Sequence, residues 1–124
     1  MKLSPKLAHI ALWQDIIARR TSAASRLGEA KASLDMKAWP APVVRMMLGE
    51  ATPVATLTAA DHPQPKTRTD QVCEVAFFSG QLALRGNEKG EAERLFRLAA
   101  SECPANFVEW WAAKAELKAL GASP

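Results

Sequence analysis

The sequence contains no tyrosine and few other aromatic residues, with four tryptophans and four phenylalanines among 124 residues. The turn-forming residues glycine and proline are also uncommon, with six and eight occurrences, which argues against a turn-rich fold, while alanine occurs 24 times. Chains rich in β-sheet draw on Tyr, Val, Ile and Thr, whereas alanine has the highest intrinsic helix propensity. We therefore predict an all-α fold, and the length predicts a single domain over residues 1–124.

Metal-binding side chains are also scarce. The two histidines, His9 and His62, and the two cysteines, Cys73 and Cys103, are scattered along the chain. A structural zinc site needs four ligands at close spacing, so we predict no metal site. No phosphate loop, dinucleotide-binding glycine motif, nucleophile elbow or metalloprotease helix occurs either, and we predict no cofactor, no catalytic residue and no enzyme activity.

No apolar run approaches the roughly 20 residues of a membrane-spanning helix, so we predict no membrane span. Gln14 and Asp15 interrupt the apolar stretch near the amino terminus, which argues against a signal peptide and predicts a cytoplasmic protein if Met1 is the native start. The formal net charge is +3, and basic and acidic residues are intermixed along the chain. Without a concentrated basic stripe, we predict no nucleic-acid partner.

Hydrophobic spacing and helix-start signals divide the chain into about seven helices. A hairpin is predicted over 5–36, short bridging helices over 39–60, and an exposed proline-rich connector over 61–68. Residues 69–121 are predicted to form a second hairpin followed by a capping helix. The individual helices are expected at about 5–20, 24–36, 42–49, 53–60, 70–85, 88–102 and 107–120.

Small and large residues in the last third of the chain follow a recognisable spacing. Gly80, Ala92, Phe96, Ala99 and Pro104 stand at relative positions 0, 12, 16, 19 and 24. This spacing resembles a tetratricopeptide repeat, which has 34 positions. The resemblance implies helical hairpins stacked in a short right-handed superhelix.

Longer stretches in the same region are similar to the carboxy-terminal part of the NlpI family of tetratricopeptide-repeat lipoproteins. The stretches are 82–86, 92–96, 106–109 and 115–121, and the 39–49 segment looks like the bridging helix that precedes the family's last repeat. The resemblance covers roughly residues 10–121. It implies a helical adaptor of the periplasm or cell envelope that dimerises and binds cell-wall enzymes.

A repeat superhelix presents the first helix of each hairpin to a concave groove. Trp110 is expected in the core, whereas Trp111 is expected either in the groove or against the preceding hairpin. The alternative for the charged residues of the groove face is simple solvation. The candidate protein-binding residues are Glu74, Phe77, Gln81, Arg85, Trp111 and Lys118.

Cys73 and Cys103 are expected at the same open end of the second hairpin, because they stand at similar distances before and after its turn near Gly86. Helix axes packed about 8–10 Å apart allow a disulfide between facing side chains at such an end. Two buried reduced thiols are the alternative, and the envelope resemblance favours the disulfide.

Together these features predict a scaffold or adaptor that binds a peptide or protein segment in a helical groove. A purely structural homodimer is one alternative, because a short repeat array leaves an apolar edge that can pair with itself. A small enzyme with an unrecognised site is the other.

Overall fold

The computed structural model of the chain describes residues 5–122 and is all-α over that range, as predicted. In the described part there are seven α-helices and no strand. None of these helices is long and apolar enough to cross a membrane. The elements are α1 (Pro5–Arg20), α2 (Leu27–Ala30), a 3₁₀ helix (Lys31–Ser33), α3 (Ala41–Met47), α4 (Pro53–Ala59), α5 (Pro65–Arg85), α6 (Lys89–Glu102) and α7 (Val108–Ala119).

The chain divides into two compact units, one ending at Thr52 and the other beginning at Pro53. The length argument predicts one domain and gives no sign of this division. The amino-terminal unit holds α1 to α3, and the carboxy-terminal unit holds α4 to α7.

In the amino-terminal unit, α1 buries a stripe spaced four residues apart, formed by Ala8, Leu12 and Ile16. This spacing places the three side chains on one face of the helix. Helix α1 packs on both α2 and α3. The short α3 contributes a dense apolar cluster consisting of Val43, Val44, Met46 and Met47.

The helix predicted over 24–36 is wrong in length. Only one α-helical turn and one 3₁₀ turn form there, and the backbone at Leu34 is extended. Leu27 and Leu34 are nevertheless buried. Gly28 weakens the helix, and the Ser25 hydroxyl accepts the Leu27 N–H, so a local side-chain bond competes with regular helix at this point.

The predicted connector over 61–68 is wrong at its carboxy-terminal half, because α5 begins at Pro65 rather than near Thr69. Proline is well suited to the first turn of a helix, where its missing N–H has no intrahelical partner. Lys66 and Asp70 add an ion pair of 2.8 Å across one helical turn. Three helices, α1, α4 and α5, thus begin at a proline.

Helices α5 and α6 form a hairpin, against which α7 packs. The turn between them is closed by Asn87 in the left-handed conformation, with φ of 58°. Helix α6 ends at Glu102, where Cys103-Pro104 stops it as predicted, and Gly121 has the expected positive φ of 81° after α7. The predicted boundaries of α6 and α7 agree with the structure to within one residue at each end.

Candidate functional site

The open end of the α5–α6 hairpin is closed by a disulfide between Cys73 and Cys103. Their Cα atoms are 4.8 Å apart, and both side chains are buried. The hairpin geometry inferred from the sequence therefore brings the two cysteines together, and the structure joins them. The bridge fixes the amino-terminal half of α5 to the end of α6.

Gly80 allows α5 and α6 to approach closely at the middle of the hairpin. A Cβ atom added there would lie 2.6 Å from Cε1 of Phe96, which is closer than real Cβ atoms come to another carbon. Phe96 itself is fully buried and packs at 5.8 Å, ring centroid to ring centroid, from Phe77. The glycine and phenylalanine of the repeat-like spacing are thus one packing unit.

Three of the predicted protein-binding residues lie in the interior. Glu74, Phe77 and Gln81 are buried, so the α5 face that carries them is not an open groove. The Gln81 amide donates to the Glu116 carboxylate at 2.5 Å, which ties α5 to α7. The prediction of a groove at these positions is wrong, because this α5 face is used for internal packing. Arg85 is half-buried, and Lys118 is exposed on α7.

The prediction of Trp110 in the core is wrong, and of the two alternatives for Trp111 the structure excludes packing against the preceding hairpin. Helix α7 buries Glu109, Ala113 and Leu117, spaced four residues apart, and this stripe leaves Trp110 half-buried. Trp111 is 64% exposed and does not pack into the hairpin. Its indole N–H donates to the Ala105 carbonyl at 3.0 Å in the loop before α7. Trp110 lies edge-on to Trp111, and the Lys114 ammonium lies 4.1 Å from the Trp110 ring centroid.

An open groove lies elsewhere in the carboxy-terminal unit, between α4, α5 and α6. Its volume is about 610 Å³, within the range of binding pockets. Most of its lining is apolar. The apolar side chains come from Pro53, Val54 and Leu57 of α4, from Val75, Ala76, Leu82 and Ala83 of α5, and from Leu95 and Leu98 of α6.

Helix α4 does not close this groove, and its apolar side chains remain exposed to solvent. Val54 is 76% exposed and Leu57 44% exposed, while the buried residue of α4 is Thr56. A short helix that turns a threonine inward and two aliphatic side chains outward offers apolar surface to another molecule. The two residues are three apart and therefore lie on one side of α4.

The charged residues of the groove lie along α6. Glu88, Glu91 and Arg94 line this edge, and the Arg94 guanidinium binds Glu91 with N···O distances of 2.5 and 3.0 Å. Hydrogen bonding to Arg94 lowers the pKa of the Glu91 carboxyl below its ordinary value, and the same bond raises the pKa of Arg94. Two acidic groups and one basic group therefore leave the edge with a net negative charge at neutral pH.

A smaller cavity of about 340 Å³ lies in the amino-terminal unit beside Asp15. The Asp15 carboxylate is buried, accepts the Ser25 hydroxyl, and binds Arg19 Nε at 3.0 Å. These bonds hold the segment before α2 against α1. Among the described residues there is no group of three or more His, Cys, Asp or Glu side chains placed to hold a metal ion.

Sequence reasoning missed the groove, although the signal is present. The repeat-like spacing includes Ala92, Phe96 and Ala99 of α6. It assigns no position to Leu95 and Leu98. These two leucines form a second apolar row that is only half-buried. Comparisons with known protein families, curated proteins and solved structures find no match to this chain, so the predicted repeat and lipoprotein relationships stay predictions.

Proposed function

We propose that the carboxy-terminal unit is a protein-interaction module that binds an apolar segment of a partner in the groove between α4, α5 and α6. The observation that carries this proposal is the exposure of Val54 and Leu57 beside a groove of about 610 Å³. Burying such side chains stabilises a complex by about 25 cal/mol per Å² of apolar surface. The site thus replaces the one predicted on the Glu74–Arg85 face of α5.

The chemistry of the lining favours a helical segment over an extended one. The groove is walled by helices, whose backbone N–H and C=O groups bond within each helix. An extended segment would bury its own backbone groups without partners there, at a cost of about 1–3 kcal/mol each. A helix satisfies its backbone internally and presents apolar side chains along one face.

Binding rather than catalysis is the role that the lining supports. The lining includes no histidine or cysteine, and its polar side chains are Ser79, Glu88, Glu91 and Arg94. Ser79 is buried, and Glu91 and Arg94 bond to each other. A general base beside a nucleophile, which acyl-transfer chemistry needs, has no counterpart in this set.

The proposal is tested with displayed peptides of about 16 residues, with Leu or Ile fixed at helix positions i, i+3 and i+7. Peptides are selected on the full chain at a dilution of about 1 µM, where weak self-association is negligible. The selected peptide is labelled, and its affinity is measured by fluorescence anisotropy. We expect Val54→Glu to weaken binding about tenfold or more.

The matched control is Val108→Glu, which changes another exposed valine, 56% exposed, on α7 outside the groove. We expect this variant to bind the peptide as the wild type does. A peptide affinity that is unchanged by Val54→Glu, or that falls equally in both variants, would contradict the proposed site.

A further inference from the structure

Helix α1 carries an apolar stripe on its outer face that residues 5–122 leave exposed. Leu7, Ile10 and Ile17 are 39%, 45% and 58% exposed. At 100° per residue these positions fall within about 80° of each other around the helix, opposite the buried stripe through Leu12. Helix α1 therefore has two apolar faces, and only one of them is used inside its own unit.

The stripe and the groove have the same length. Leu7 and Ile17 stand ten positions apart on α1, and the groove residues supplied by α6 and by Glu88, the residue just before it, are also spread over ten positions, up to Leu98. At 1.5 Å per residue, both surfaces are about 15 Å long. A helix bearing this stripe can thus contact the whole groove with one face.

The charges of the two surfaces are opposite. Within residues 5–20, α1 carries the exposed basic residues Lys6, Arg19 and Arg20 against one acidic residue, Asp15, whose buried carboxylate is paired with Arg19, so the helix keeps a net positive charge. The groove edge carries Glu88 and Glu91 against Arg94. Complementary charge at the rim steers association and fixes the partner, while the apolar contact supplies affinity.

We propose that α1 of a second copy of this chain occupies the groove between α4, α5 and α6. The inference rests on the proposed function, since it names the occupant of the same groove. One association covers the α1 stripe together with the groove and its α4 side chains. Each copy supplies one stripe and one groove, so two copies can exchange helices reciprocally.

Sedimentation velocity of the full chain from about 1 µM to about 1 mM tests the self-association. We expect the wild type to shift from monomer to dimer within this range. Ile17→Glu, in the stripe, and Val54→Glu, in the groove, are each expected to weaken association about tenfold or more. Val108→Glu is expected to associate as the wild type does.

A mixture of Ile17→Glu and Val54→Glu gives a sharper test, because the first variant keeps an intact groove and the second keeps an intact stripe. The intact groove of Ile17→Glu can receive the intact stripe of Val54→Glu, so an equimolar mixture is expected to form a heterodimer where each variant alone stays monomeric. Contact between two stripes or between two grooves would not be rescued by mixing. Failure of the mixture to associate overturns the proposal.

A crosslink locates the contact without relying on the stability of the charged variants. A benzophenone amino acid at position 17 is irradiated in the presence of an isotopically labelled wild-type copy. Crosslinks to the labelled residues 53–57 or 88–98 support the proposal, and crosslinks confined to other regions overturn it. A wild type that stays monomeric while still binding the selected peptide overturns only the self-association. Absence of peptide binding overturns the proposed function itself.

Discussion

The amino-terminal and carboxy-terminal units differ in what joins their elements. In the carboxy-terminal unit, long helices meet through apolar side chains such as Phe77 and Phe96, and a disulfide closes the hairpin. In the amino-terminal unit, apolar contacts of α1 and α3 are supplemented by polar bonds between segments distant in sequence, and some of the elements are very short. Lys31 binds Glu50 at 2.7 Å, and the Arg45 guanidinium donates to the Met36 carbonyl at 2.5 Å.

This difference has a physical origin in helix length. A helix of 14 to 21 residues, such as α6 or α5, repeats its apolar stripe several times and can be held by packing alone. A helix of four residues, such as α2, has no room for such a stripe. Its position depends on individual hydrogen bonds, which a sequence pattern does not reveal.

Removing the central aromatic residue of the hairpin is expected to have the largest effect. Phe96→Ala deletes a fully buried ring between α5 and α6 and is expected to lower the free energy of unfolding by about 3–5 kcal/mol. Urea denaturation followed by circular dichroism measures the loss. Phe107→Ala, at a half-buried position before α7, serves as the control and is expected to cost less.

The contact with Gly80 sharpens this prediction. Gly80→Ala places a methyl group against the Phe96 ring and is expected to cost about 1–3 kcal/mol. In Gly80→Ala combined with Phe96→Leu, the smaller side chain makes room, so the double variant should lose less than the sum of the single losses. Strict additivity would show that the two residues do not share one packing site.

The Cys73–Cys103 disulfide is expected to contribute almost as much to the free energy of unfolding as the Phe96 side chain. Cys73 and Cys103 are 30 residues apart, and closing a loop of this size stabilises a protein by about 3–4 kcal/mol in the chain-entropy model. Replacing both cysteines with alanine should lower the free energy of unfolding by that amount. Thiol titration of the denatured, unreduced protein should find no reactive thiol, and two thiols would contradict the bridge.

These cases show which parts of the molecule the sequence could predict. The all-α class, the hairpin turn, and the meeting of Cys73 with Cys103 follow from helix periodicity and from known helix ends. The groove between α4, α5 and α6 did not follow, because the repeat-like spacing places the candidate binding residues on another face of α5, which the structure largely buries. Glu74 and Gln81 are polar and were read as exposed, whereas the structure buries both. Buried polar residues break the pattern on which such predictions depend.

The polar bonds of the amino-terminal unit are tested at Asp15. Its buried carboxylate accepts the Ser25 hydroxyl and binds Arg19, so Asp15→Ala leaves these partners unsatisfied. We expect a loss of about 1–3 kcal/mol in the free energy of unfolding. Asp35→Ala is the control in the same unit. The Asp35 carboxylate accepts a local hydrogen bond from the Lys37 N–H, at 3.0 Å. Equal losses in the two variants would contradict the importance of the buried site.

Gln71 in the carboxy-terminal unit is the opposite of Asp15, and changing it is expected to have the smallest effect. Its side-chain oxygen is buried, and no donor among residues 5–122 reaches it. Burying an acceptor without a hydrogen bond costs free energy, whereas an apolar side chain of similar size carries no such cost. Gln71→Leu is therefore expected to raise the free energy of unfolding by about 1 kcal/mol. Urea denaturation of Gln71→Leu and of Asp15→Ala compares the two units directly. Removal of the buried polar side chain should raise the free energy of unfolding in the first variant and lower it in the second. Destabilisation by Gln71→Leu would mean that the Gln71 amide has a partner in solution and that this unit depends on a further polar bond besides that between Gln81 and Glu116.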